Sequence, residues 1–304
     1  MLYFKKGATE QQVIEHFENH EINGVGKEMA SGTTVWYEQN KYKKQYLTFV
    51  SQSDSNTFKF SGSTASNTLQ YSLDNGSTWS TLANDVDSPA VASGNTIMFK
   101  GSGLTLVDNK GIGHFSSSNN FKVQGNAMSL LYGDNFVGKT SLSIFGSVLM
   151  YLFSACTGLT TAENMILPAT KLVYSCYGYM FAGCTSLTTA PELPATSVAT
   201  SCYLNMFNGC TSLTTAPELP ATKMEQQCYM YMFSGCTNLN YIKCLASSGM
   251  TSSNCFADWL SGVASTGTFV KSPNATTGST EGGSQWKINY SSGIPTGWTV
   301  QDAS

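Results

Sequence analysis

The nine cysteines are the residues best suited to chemistry, and all lie beyond residue 155. Zinc sites use short, characteristic Cys and His spacings, whereas Cys202 and Cys210 are eight residues apart. An odd number confined to one region argues against a disulfide framework, although equivalent cysteines of adjacent repeats could still pair. Because Cys packs well as a small hydrophobe, we predict no metal and a buried ladder of free thiols. The ladder comprises Cys156, Cys176, Cys184, Cys202, Cys210, Cys228 and Cys236.

Histidines and carboxylates give no catalytic pattern. His16 and His20 have a spacing that can bind metal, but glutamates surround them and no third ligand is evident, so a solvated helix face is expected. Glu192 and Glu218 recur one repeat apart, which repeat copying explains. No Ser-His-Asp arrangement or phosphate loop is present, so we predict no catalytic residue and no cofactor. A carbohydrate-active enzyme stays an alternative that would need two carboxylates about 5–9.5 Å apart across a groove.

Composition excludes several classes of partner. Charged residues make up 12% of the chain and the net charge is -3, against a usual charged share of about 25%. No basic patch suits a nucleic acid, and no apolar run reaches the roughly 18 residues of a membrane span. We therefore expect no nucleic-acid binding and no membrane insertion. The N-terminus, Met1-Leu-Tyr-Phe-Lys-Lys, lacks the charge-then-apolar order of a signal peptide, so export by the general route is not expected.

The chain divides into four predicted regions. Residues 1–50 form an N-terminal attachment module, with a short helix capped by Thr9 and a hairpin of Thr33–Tyr37 with Gln45–Val50. Residues 51–125 form an all-β sandwich, and a hairpin turns at Asn75-Gly76. The predicted strands of this sandwich lie at 57–60, 69–73, 77–81, 96–99 and 120–123. Residues 126–262 form a solenoid of repeats, and residues 263–304 form a C-terminal cap. The predicted fold class is α+β multidomain.

The repeats have a constant period of about 26 residues, set by Phe181, Phe207 and Phe233. Within one unit, Val198, Cys202 and Met206 follow at intervals of four, which predicts one apolar face of a helix. Thr196 and Thr222 would cap successive helices, and Gly183, Gly209 and Gly235 would end them in the left-handed region. A short extended stretch such as Leu213–Leu219 follows, interrupted by proline. A helix plus a short strand in a unit of this length predicts a leucine-rich-repeat-like αβ solenoid.

These residues resemble a known family. The unit Phe-x-Gly-Cys-Thr-Ser-Leu, followed by a short strand and proline, is similar to the BspA-like leucine-rich repeats. The version with Leu-Thr-Thr-Ala-Pro-Glu-Leu-Pro-Ala-Thr resembles the variant common in gut Bacteroides proteins and in phages that infect those bacteria. The segments Tyr71–Gly76, Met128–Phe136 and Gly293–Val300 also look like segments of such proteins, so the resemblance covers roughly residues 55–300. It implies surface display and binding, and it does not imply an enzyme.

The bacterial members of that family are normally exported, and this chain differs in showing no leader. We therefore expect a phage virion fibre or virion-surface protein that contacts a bacterial surface protein or glycan. Residues 1–50 would attach it to other virion proteins, and a homo-oligomer is a further candidate. The alternative is a Bacteroides cell-surface leucine-rich-repeat adhesin, located on the bacterial cell surface.

Two sets of residues are candidates for ligand contact. The strand set would line the concave face that many solenoids use for binding. Its members are Thr188, Thr189, Glu192, Thr214, Thr215 and Glu218. Leu204 and Met230 occupy positions that vary between repeats and would lie on the predicted helices. The recurring Tyr177, Tyr203 and Tyr229 are expected to pack between repeats. The sequence leaves open which face binds.

Overall fold

The computed structural model describes residues 44–62, 68–102, 112–142, 146–278, 285–288 and 292–304. The predicted helix near Thr9, the His16–His20 pair and the strand Thr33–Tyr37 lie outside the described residues. The strands in chain order are β1 (Leu47–Ser51), β2 (Phe58–Gly62), β3 (Thr68–Ser72), β4 (Ser80–Leu82), β5 (Thr96–Ser102), β6 (Gly113–Ser117), β7 (Phe121–Asn126), β8 (Leu159–Ile166), β9 (Tyr241–Cys244), β10 (Gly267–Lys271), β11 (Thr276–Gly278), β12 (Gln285–Lys287) and β13 (Trp298–Asp302). A short α-helix, α1 (Ser129–Tyr132), leads into a 3₁₀ turn at Gly133–Asn135.

The first half of the chain is built around a six-stranded sheet of order β4-β3-β5-β1-β7-β8. Strand β1 crosses the predicted boundary at residue 50 and pairs antiparallel with β5 and β7, so that Phe49 lies opposite Ile97 and Val123. Strands β2 and β6 form a separate antiparallel pair. The strands predicted at 57–60, 69–73, 96–99 and 120–123 are confirmed. The predicted turn is confirmed as well, with positive φ at Asn75 and Gly76.

Aromatic residues join this sheet to the repeats. The Phe49 ring lies 4.8–5.1 Å, centroid to centroid, from the rings of four other phenylalanines. Phe49 also lies 5.7 Å from Phe153, the first phenylalanine of the repeats. From Phe153 a column of nearly parallel rings continues through Phe181, Phe207 and Phe233 at spacings of 5.4–5.5 Å. The hydrophobic core is therefore continuous from the sheet through the repeats.

The predicted α+β fold class with an αβ solenoid is wrong, because the repeats contain no helices. Residues 146–278 are all described, and none of them is in an α-helix; α1 lies before them. Each predicted helix is instead a run of consecutive turns, which we call a turn run. In one run, every fourth residue has positive φ: 56° at Ser201, 54° at Asn205 and 72° at Gly209. An α-helix of L-residues does not accommodate such residues in its interior, so Thr196 and Thr222 have no helix to cap and Gly209 does not end one.

Backbone hydrogen bonds explain the turn run. The N–H groups of Cys202, Leu204 and Met206 donate to the carbonyl three residues earlier, which closes one turn after another. The N–H groups of the residues between them donate to the next repeat: Tyr203 donates to Cys228 at 3.1 Å, and Asn205 to Met230 at 2.9 Å. Half of the amide groups thus bond within a repeat and half between repeats. Stacking on a neighbour satisfies groups that an α-helix would satisfy internally.

The sequence suggested helices because the two patterns have similar periods. Cys202, Tyr203, Met206, Phe207 and Cys210 are buried, giving two adjacent buried residues every four positions. An α-helix repeats every 3.6 residues, so over a short segment its apolar stripe differs little from a period of four. Which amide bonds to which carbonyl decides between them, and that depends on the neighbouring repeat.

The extended stretches of the central repeats are shorter than the predicted strands. Single bridges join Thr161 to Thr189, Thr215 to Tyr241 and Leu219 to Cys244, while continuous strands occur at β8 and β9. Proline within each central stretch removes a backbone donor, which limits the pairing.

The last repeat ends against a cluster of aromatic side chains. Strands β9, β10 and β13 pair in parallel. Trp259 and Trp286 are fully buried and stack at 5.6 Å, with Phe256 and Phe269 against them. The Trp259 Nε1–H donates to the Gly293 carbonyl at 3.0 Å. In the part of the chain that the structure describes, no helix has the length and apolar character to cross a membrane.

Candidate functional site

The predicted threonines form an exposed set on the extended stretches. We define the threonine row as Thr160, Thr161, Thr188, Thr189, Thr214 and Thr215; the last four are exposed. The Thr188 hydroxyl and amide both donate to the Thr160 carbonyl at 2.9 Å. The structure therefore places these threonines at equivalent positions of successive stacked repeats, in pairs of adjacent residues.

The two predicted glutamates lie beyond the threonines on the same stretches, where Glu192 is half-buried and Glu218 is exposed. Glu218 forms an ion pair of 3.1 Å with Lys243 of the next repeat. Burial raises the pKa of Glu192 to about 7, and the negative charge of Glu218 adds to the effect. The two carboxylates therefore occupy equivalent positions of adjacent repeats and are close enough for their charges to interact.

Leu204 and Met230 lie on the turn runs, in a different segment of the repeat from the threonine row. Both side chains are partly exposed. Their carbonyls accept hydrogen bonds from Tyr179 at 2.8 Å and from Asn205 at 2.9 Å. Gly178 holds the equivalent position in the preceding repeat, so this surface changes from repeat to repeat.

All nine cysteines are buried, and the seven of the predicted ladder are free thiols. Cys184, Cys210 and Cys236 each donate a thiol hydrogen bond of 3.0–3.1 Å to the carbonyl of a phenylalanine in the preceding repeat. Burial raises the pKa of Cys176 and of Cys236 to about 12. These thiols are therefore protonated and packed between repeats. Among the described residues, no cluster of three or more His, Cys, Asp or Glu could hold a metal ion.

The structure also shows a cavity that the sequence did not indicate, where the first turn run meets strands β2 and β6. Its volume is about 570 Å³. We call it the tyrosine groove and define it by its lining residues: Ser61, Gly62, Asp85, Gly113, His114, Tyr151 and Ser154. His114 lies opposite Ser61 and Gly113 opposite Gly62 in the β2–β6 pair.

Two glycines bring the strands together in this groove. A Cβ atom on Gly62 would lie 2.5 Å from the Ile112 carbonyl oxygen, and one on Gly113 would lie 2.6 Å from the Ser61 carbonyl oxygen. Gly113 also has a φ of +131°. The backbone itself therefore forms part of the groove, where side chains would not fit.

The polar and aromatic groups of the groove are held in place. The Tyr151 ring stacks on Tyr179 at 4.8 Å. The Asp85 amide donates to the Phe60 carbonyl at 3.0 Å, and Asn84 donates to one oxygen of the Asp85 carboxylate. His114 is exposed. These side chains come from segments far apart in the chain, so no sequence signal connects them.

Comparisons with protein-family models, with curated proteins and with solved structures found no match to this chain. The resemblance of the repeat unit to BspA-like repeats therefore stays a prediction. The threonine row and the tyrosine groove are the candidate sites considered below.

Proposed function

We propose that this chain is a non-enzymatic binding protein displayed on the surface of a phage particle, as a fibre or surface component that contacts the bacterial host surface. The observation that carries the proposal is the threonine row: six threonines, four of them exposed, stand at equivalent positions of stacked repeats. A rigid array of this kind suits recognition of an extended or repetitive surface.

Three features support binding rather than catalysis. The repeated side chains carry hydroxyl groups on a fixed backbone. The Thr188 hydroxyl donates to the Thr160 carbonyl, which holds its oxygen in place as a hydrogen-bond acceptor at low entropic cost. The buried ladders of Cys, Tyr and Phe make the repeats stiff. The recurring Glu192 and Glu218 occupy equivalent positions of adjacent repeats, and Glu218 is paired with Lys243, whereas hydrolysis of a glycosidic bond needs two carboxyl groups that flank the bond.

The placement on a virion is supported by the resemblance of the repeat unit to proteins of gut Bacteroides and their phages. In this proposal the N-terminal region attaches the chain to other virion proteins. Mass spectrometry of purified phage particles and of host envelope fractions tests the placement. Detection of the chain in the envelope and not in particles would instead favour a bacterial cell-surface adhesin.

Competition for host adsorption tests the binding role. The purified chain is expected to reduce adsorption of the phage to its host cells. The double variant Thr188→Lys/Thr214→Lys should lose this effect, because two long charged side chains would cover the row. Thr237→Lys, at an exposed threonine outside the row, is the matched control. Equal competition by all three proteins would show that the row is not the contact surface.

A further inference from the structure

We infer that the tyrosine groove is a binding site for a neutral carbohydrate, with Tyr151 as the stacking surface and with Asp85 and His114 as partners for sugar hydroxyls. The inference rests on the proposed function, since it assumes a binding protein and assigns the chemical class of a ligand. It concerns a cavity that is distinct from the threonine row.

The size and lining of the groove fit this ligand class. A volume of about 570 Å³ lies within the roughly 300–1,000 Å³ of small-molecule sites. One aromatic ring stands among two serine hydroxyls, a carboxylate, an imidazole and glycine backbone. A sugar ring has the matching character, because it carries an apolar face of C–H groups and a rim of hydroxyls.

The Tyr151 ring is prepared for stacking. Tyr179 stacks against the ring, with the two ring planes inclined by 24°, and the Tyr151 side chain also lines the groove. The Tyr151 amide is fixed by a 3.0 Å hydrogen bond to the Gly178 carbonyl. Little side-chain freedom would therefore be lost on binding.

Asp85 is held with one oxygen available. Its Oδ2 accepts a hydrogen bond from Asn84 Nδ2 at 2.5 Å, and Asn84 Oδ1 accepts one from the Gly62 amide at 2.6 Å. Among the described residues, no donor reaches the Asp85 Oδ1 atom or the His114 ring. A carboxylate oxygen accepts strong, charge-assisted hydrogen bonds from hydroxyl groups.

The same lining argues against other ligands. The described lining has a carboxylate and neither lysine nor arginine, so phosphates and acidic sugars would meet a negative charge. Among the described lining residues Asp85 is the only carboxylate, so they offer a divalent metal ion few of the oxygen ligands that it prefers. A quaternary ammonium ion is the remaining competitor, since tyrosine and a carboxylate together attract such cations.

The test screens the full chain against arrayed neutral oligosaccharides and polysaccharides of bacterial surfaces, with choline chloride and inorganic phosphate as separate probes. Calorimetry then compares the best sugar on the variants. We expect Tyr151→Ala and Asp85→Asn each to weaken binding about tenfold or more, equivalent to one stacking or charge-assisted contact. Tyr151→Phe should bind within about threefold of the natural chain, since it keeps the ring.

Matched controls lie outside the groove. Tyr174→Ala removes a tyrosine that is 60% exposed, and Asp54→Asn removes an exposed carboxylate; neither should change sugar binding. Melting temperatures verify folding. Asp85→Asn keeps the inference testable if Tyr151→Ala does not fold, because Asp85 is exposed.

Three results would overturn the inference: no neutral sugar bound, choline or phosphate bound instead, or sugar binding unaffected by both groove variants. Binding to intact host cells is measured in parallel. Cell binding that depends on the threonine row alone would leave the proposed function standing and remove the groove assignment. If the chain is absent from phage particles and does not bind cells but binds sugar through the groove, the groove assignment would stand and the proposed function would be removed.

Discussion

At the scale of single residues, burial determines the chemistry of the cysteines. A thiol reacts as its thiolate, and burial in apolar surroundings disfavours that form. The pKa of Cys156 is raised to about 12 by burial, and those of Cys184, Cys202 and Cys210 lie well above their usual value for the same reason. The cysteines thus serve packing rather than reactivity.

Alkylation is expected to separate the folded from the unfolded chain. Iodoacetamide at pH 8 should leave the cysteines of the folded protein largely unmodified, whereas all nine should react in urea, as counted by mass spectrometry. Rapid modification without denaturant would contradict the buried ladder. A mass showing bound zinc or a disulfide would contradict the free thiols.

Glu192 gives the molecule a pH dependence with a defined sign. Its pKa is about 7 in the folded state against a usual 4.5. Below pH 4.5 the group is neutral in both states and burial carries no penalty. As the pH rises from 4.5 through 7, the Glu192 carboxyl loses its proton more readily in the unfolded chain than in the folded one. The free energy of unfolding therefore falls over this window. Because the side chain is half-exposed, the loss is discounted to about 1 kcal/mol.

Glu192→Gln should remove this contribution. We expect the variant to be more stable than the natural chain at pH 8, by about 1 kcal/mol, and equally stable near pH 4.5, as measured by urea unfolding. Glu163→Gln, at an exposed glutamate, is the control and should leave the pH dependence unchanged. A Glu192→Gln variant with the pH profile of the natural chain would show that burial of this carboxyl does not raise its pKa enough to affect stability.

At the scale of elements, two glycines of the turn runs differ in backbone conformation. Gly209 has a φ of +72°, and a Cβ atom there would meet nothing closer than 3.9 Å. Gly178 has no positive φ, and its Cβ atom would make contacts of 3.4–3.6 Å. Backbone conformation therefore disfavours a larger residue at Gly209, whereas neither conformation nor space disfavours alanine at Gly178.

Gly209→Ala is therefore expected to lower the free energy of unfolding by about 1–2 kcal/mol, the cost of a left-handed conformation for an L-residue. Gly178→Ala should change it by less than about 0.5 kcal/mol. Urea unfolding of both variants measures the difference. Far-ultraviolet circular dichroism of the natural chain should show no α-helical double minimum. A helical spectrum, or a stabilised Gly209→Ala, would contradict the turn run.

At the scale of the whole molecule, each central repeat bonds to the repeats before and after it through backbone hydrogen bonds. Tyr177, Tyr203 and Tyr229 stack at 5.8 Å, in parallel with the phenylalanine column. Both columns end on Trp259, which also packs on Trp286. Stability should then depend on the number of units and on the interfaces between them.

Deletion of one full unit tests this. Removing the segment Leu187–Ser212 joins Ser186 to Leu213 and would bring Phe181 onto Phe233. The shortened chain should fold and unfold cooperatively, with a lower melting temperature because one interface is lost. Removing only the first half of that segment, Leu187–Ala199, breaks the register and should abolish folding. A full-unit deletion that fails to fold would show that the units are not equivalent.

The sequence by itself determined the repeat period, the strands between residues 51 and 125 other than β6, and the positions of the recurring Cys, Tyr and Phe. Local alternation and regular recurrence specify these features without knowledge of distant residues. The tertiary structure decided the backbone of the repeats. A spacing of four residues between Cys202 and Met206 fits a helix or a turn run, and only the carbonyls of the next repeat, which accept every second amide, select the turns. The tyrosine groove is likewise a tertiary feature, because Asp85, His114 and Tyr151 meet only after the sheet has packed against the first repeat.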